Sequence, residues 1–111
     1  METANCRERF EQAVRTLAEE KGRIKERLLI AYASQLSLIN PPADVPDELL
    51  TDFYLLKKTL SDVEMPYGEG ERAADKVEAM SEDEASASAS AIVSFFLRLC
   101  GLELSHTADR N

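Results

Sequence analysis

NCRERFEQAVRTLAEEKGRIKERLLIAYASQLSLI, residues 5 to 39, decides the fold class. The stretch holds no proline and one glycine, Gly22. A heptad seam runs through Phe10, Val14, Leu17, Lys21, Ile24, Leu28, Ala31, Gln35 and Leu38, and only Lys21 and Gln35 interrupt its apolar character. Steps of three and four residues return a side chain to one face of an α-helix, so the spacing predicts a helix over 5–39. Beyond Leu28 the stripe widens through Leu29, Tyr32, Leu36 and Ile39. A helix buried on several sides needs that width, whereas a two-stranded seam does not.

Length sets the next question. Continuous, the helix would be about 52 Å long, while a compact chain of this size is about 34 Å across. Either it breaks, with Gly22 the obvious place, or its N-terminal half projects. A projecting arm carrying Phe10, Val14 and Leu17 needs a cover, and a second copy of the chain is the simplest one. Lys21 and Gln35 would then help to fix register and partner number.

Asn40-Pro41-Pro42 ends this segment, since proline disfavours helical geometry in the preceding residue and lacks an N–H. Asp44 is placed to cap a second helix over 45–61, with Pro46, Asp47 and Glu48 in its first turn and Leu49, Phe53, Leu56 and Leu60 facing inward. Proline and glycines make residues 65–70 a loop, and a weak pattern through Ala74, Val77 and Met80 predicts a short helix over 71–80. Ser81-Glu82-Asp83-Glu84 is a capping box that announces a last helix over 82–100, stopped at Gly101. That box, with no glycine or proline after it, favours helix over flexible linker for the Ala/Ser alternation of 85–91. Ala85 and Ala89 lead into Ile92, Phe96 and Leu99 along one face.

The expected fold is therefore all-α, a small up-and-down bundle of three to four helices in a single domain over 1–104, completed by dimerisation if the first helix projects. Residues 105–111 read as a polar C-terminal tail. The layout resembles that of many small bacterial helical proteins, a likeness of architecture that identifies no family.

Composition narrows function mainly by exclusion. Cys6 and Cys100 stand 94 positions apart without a CxxC pair, and His106 is the single histidine, so neither a disulfide framework nor a zinc site is expected. The thiols read as small buried hydrophobes. Serines occur without a GxSxG elbow. Gly68-Glu69-Gly70 lacks the lysine of a phosphate loop. Helix-start chemistry accounts for Asp44, Asp47 and Glu48 and for Glu82 to Glu84. No cofactor, metal or catalytic residue is assigned.

The net charge of −8 is uneven: residues 1–39 carry +1, 40–64 carry −4, 65–84 carry −5 and 85–111 carry 0. This field disfavours a nucleic-acid partner, and the one basic cluster, Lys21 to Arg27, is interleaved with glutamates. METANCRERF has no apolar stretch to serve as a secretory signal, and the apolar run 91–104 is short for a membrane span and contains Arg98 and Glu103. Cytoplasm is the default location, with no membrane association.

Three functional readings follow. The first is a non-enzymatic helical interaction module, an adaptor, small chaperone or regulator, homodimeric or bound to another protein. Its candidate interface is Phe10, Val14, Leu17, Lys21, Ile24, Ala85 and Ala89. The alternative is an acidic inhibitor or nucleic-acid mimic that enters a basic cleft through residues 44–84. The third is an enzyme or small-ligand binder with a pocket between helices near Tyr32, Tyr54 and Tyr67.

Overall fold

The computed structural model of the chain describes residues 2–60 and 73–109. Among them are five α-helices: α1 (Glu2–Glu19), α2 (Ile24–Ser34), α3 (Leu50–Leu60), α4 (Ala73–Ala79) and α5 (Glu82–Asp109). Single 3-10 turns at Leu36–Leu38 and Asp47–Leu49 complete the pattern, and no strand occurs in the described residues. The fold is an all-α bundle measuring 48 × 32 × 19 Å.

The predicted first helix breaks at Gly22. Its φ of +108° lies where L side chains rarely go, and a Cβ there would come within 2.8 Å of a Glu26 carboxylate oxygen. The chain reverses, so α1 and α2 form an antiparallel hairpin rather than one long rod. Arg9 Nη1 reaches Gln35 Oε1 at 3.3 Å near one end of the pair, and Arg27 Nη1 donates to the Leu17 carbonyl at 2.6 Å near the other. No arm projects, and Phe10 and Leu17 are covered within the chain itself.

Other boundaries shift for local reasons. Asp44 does not cap the second helix. Its Oδ2 accepts the Asn40 backbone N–H at 2.8 Å, closing the turn that contains the two prolines. Extended backbone at Pro46 precedes the 3-10 turn, and α3 begins only at Leu50. The short fourth helix covers Ala73–Ala79, and residues 61, 71 and 72 of the expected helices lie outside the described residues, as does the 65–70 loop. The capping box forms as expected: Ser81 N–H donates to Glu84 Oε1 at 2.8 Å and Glu84 N–H to Ser81 Oγ at 3.0 Å. These bonds to Ser81 hold the Glu84 carboxyl below its usual range. Gly101 does not stop α5, which continues to Asp109, so the last helix is longer than the expected 82–100. One glycine costs a helix interior about 1 kcal/mol, and no proline follows to end the ladder.

α5 packs against α1, α2 and α3, and α4 rests on α2 and α3. α5 lies antiparallel to α1, with Phe10 beside Phe95 at one level and Leu17 near Ala89 further along. Opposite α1 it is antiparallel to α3, with Asp52 bonded to Arg98 and Thr59 near Ala87. Phe10, Leu28, Leu60, Ile92 and Leu99 are fully buried between the helices. Phe10, Phe53 and Phe95 form an aromatic knot with centroid separations of 4.5, 6.0 and 6.3 Å.

Three helices end on a cation supplied by another element. Arg27 of α2 donates to Leu17 O of α1, Lys76 of α4 to Lys58 O of α3 at 2.5 Å, and Lys25 of α2 to Glu78 O of α4 at 2.9 Å. Each positive group meets carbonyls left unpaired by the last turn, where the helix dipole is negative. Two members of the predicted basic cluster, Lys25 and Arg27, are engaged in this way.

Candidate interaction surface

The capping box starts α5, and the three- and four-residue spacing of Ala85, Ser88, Ile92, Phe95 and Leu99 turns one side of it inward. These side chains are buried, while Ser86, Ala87, Ser90, Ala91, Val93, Ser94 and Leu97 face outward. Residues 85–97 contain no charged side chain, so this outer face is uncharged throughout. Exposed positions of α1 are treated differently, with Glu8, Arg15 and Glu19 among them. Leu97 is 61% exposed and Val93 36%.

Two open grooves flank the face. One, of about 520 Å³, lies between the hairpin and α5 and is lined by Val14, Leu17, Ala18, Ile24, Ala89, Ser90, Val93 and Ser94. The other, of about 540 Å³, lies between α3 and α5, with Leu56, Ser88 and Phe95 in its lining and Leu55, itself 61% exposed, beside Ala87 and Ala91. Arg98 Nη2 meets Asp52 Oδ2 across this second groove at 2.6 Å, so the charged pair at its end is closed on itself.

The residues singled out from the sequence divide into three groups. Phe10, Leu17 and Ala85 are buried within the chain, with only the edge of Leu17 reaching the first groove. Val14, Ile24 and Ala89 are half-buried and converge in that same groove, although they come from three different helices. Lys21 is exposed in the turn between α1 and α2. Ala18, Ser90, Val93, Ser94, Leu55 and Leu97 belong to this surface although they lie outside the heptad seam. The available signal was the charge-free run 85–97, too long to be explained by the one face that the core requires.

The other constellations yield no comparable concentration. Asp44, Asp52 and Glu84 of the acidic segment each hold a partner inside the chain. Tyr32 is buried in α2 and Tyr54 is exposed on α3, while Tyr67 lies outside the described residues. Among the described residues no three His, Cys, Asp or Glu side chains gather as a metal site. Both cysteines are free thiols. Burial, assisted by the Asp44 charge, raises the Cys6 thiol to about 12.

The apolar run also proves longer than the one read from 91–104. Glu82–Leu102, 21 residues with mean hydropathy 1.5, is long and apolar enough to cross a membrane by length and composition, and 28% of it is buried in the bundle. The same test is passed by core helices of soluble proteins.

Compared with protein-family models, with curated proteins and with solved structures, the chain gives no match.

Proposed function

We propose that the chain is a non-enzymatic protein–protein interaction module whose working surface is the outer face of α5 together with the two grooves beside it. One observation carries this reading: in a chain with net charge −8, every exposed position of α5 from Ser86 to Leu97 is uncharged, and Val93 and Leu97 stand exposed among them. Loss of charge from the centre of a patch marks protein interfaces more reliably than apolar character alone. Grooves between helices suit a helical partner, whose anchors recur every three and four residues.

The test separates binding from folding. Val93→Glu and Leu97→Glu alter exposed side chains, so each is expected to keep the thermal transition and helical circular dichroism of the parent, within about 0.5 kcal/mol. Association, whether with another copy or with a cellular protein recovered by affinity capture, is expected to be lost. Retention of every association by both variants would refute the reading.

A further inference from the structure

The interaction reading above is the basis for naming its partner: we infer that the outer face of α5 docks on the same face of a second copy, the two α5 helices running antiparallel about a two-fold axis near Ser94. Charge selects the occupant. A basic partner would be drawn to carboxylates, and the exposed positions from 86 to 97 offer none. A second copy carries the same net −8 and is repelled over most of the surface, but on this face no like charges are brought together. Arg98, at the margin, is neutralised by Asp52.

The N-terminal end of α5 selects the orientation. Glu82, Asp83 and Glu84 are all exposed there. A parallel pair would set these two clusters side by side. In the antiparallel pair each Asp83 lies about 16 Å from the axis, so the two are separated by about 33 Å, several times the screening length of about 8 Å at physiological salt.

Size and shape agree with this arrangement. From Ala87 to Gly101 α5 extends about 21 Å, and three adjacent helices are about 28 Å wide, a footprint on the order of 600 Å² before corrugation, against roughly 800 Å² per partner in a standard interface. With the axis between Val93 and Ser94, Leu97 of one copy is level with Ser90 of the second copy, a large exposed side chain opposite a small one; Ser90 lines the first groove, and Leu97 follows it by two helical turns on the same side of α5. Two-fold symmetry makes each such contact twice.

Cysteine cross-linking tests the register. In a Cys100→Ala background, where Cys6 is buried, Ser94→Cys is expected to give a disulfide-linked dimer on oxidation with oxidised glutathione, and Asp83→Cys to remain uncross-linked. Light scattering at micromolar concentration is expected to give the mass of two chains, and Leu97→Glu to weaken the dimer at least about tenfold. A strict monomer overturns the inference, as does cross-linking of Asp83→Cys ahead of Ser94→Cys. If that monomer still captures another protein and loses it on Leu97→Glu, the interaction reading stands while the second copy is ruled out. A dimer that survives both Val93→Glu and Leu97→Glu overturns the two together.

Discussion

Phe10 stacks on Phe95 with ring centroids 4.5 Å apart and planes inclined by 21°. The contact joins the first helix to the last, and Phe53 closes on both rings edge-on. Phe10 thus belongs to the chain's own core rather than to a surface. Phe10→Ala is expected to cost about 3–5 kcal/mol, read as a fall in the urea midpoint. Phe10→Glu is expected to prevent folding outright, not to yield a folded monomer.

Gly22 is expected to resist replacement. At φ +108° an alanine is strained by its own backbone, while the Glu26 carboxylate at 2.8 Å can swing aside. Gly22→Ala is therefore expected to destabilise by about 1–2 kcal/mol, and adding Glu26→Ala to recover little of it. Chemical denaturation of the single and double variants distinguishes backbone strain from the side-chain clash.

Arg27 closes α1 at the Leu17 carbonyl. Arg27→Met keeps much of the aliphatic stem and removes the donor. A loss of about 1.5–2 kcal/mol is expected for a hydrogen bond to a charged group. Faster amide exchange confined to the end of α1 and the start of α2 would identify the cap as the cause.

Cys6 is expected to give the fold a pH dependence at the alkaline end. Its thiol is raised to about 12 in the folded chain, by burial first and by Asp44 second, against 9.0 for an ordinary thiol. The folded state therefore holds the proton more tightly than the unfolded state. The resulting stability is complete below pH 9 and is lost as pH rises from there towards 12. Cys6→Ala is expected to lower stability at neutral pH through lost packing, yet to decline less steeply above pH 9. In the folded parent, Cys100 is expected to react with a thiol reagent well before Cys6.

Sequence periodicity located the helices well because local pattern and core requirement coincide from Phe10 to Ala31, and because the reciprocal bonds of Ser81 and Glu84 lie within one turn. The break at Gly22 was legible as a choice. Its direction was not, since a hairpin and a rod have the same seam until the tertiary contacts of Arg9 and Arg27 decide. Asp44 misled for a similar reason: a carboxylate beside two prolines can serve the turn behind it as readily as the helix ahead. Gly101 read as a stop because sequence gives no measure of how firmly the flanking turns hold. At the candidate surface, Val14, Ile24 and Ala89 could each be recognised, but their convergence depends on how three helices cross. Phe10 and Leu17 have the same apolar spacing that an interface would have, and only burial separates the two.

The borrowed helix ends have a consequence for dissection of this protein. α1, α3 and α4 are each finished by a basic side chain that lies elsewhere in the chain, on α2 or α4. A synthetic peptide of α3 alone would lack the Lys76 ammonium, and a fragment ending at Leu60 would lack it too. Excised pieces should accordingly be less helical than their composition suggests, and supplying the missing segment in trans should restore order at a defined carbonyl. The bundle is then better suited to complementation between fragments than to transplantation of single helices into another scaffold.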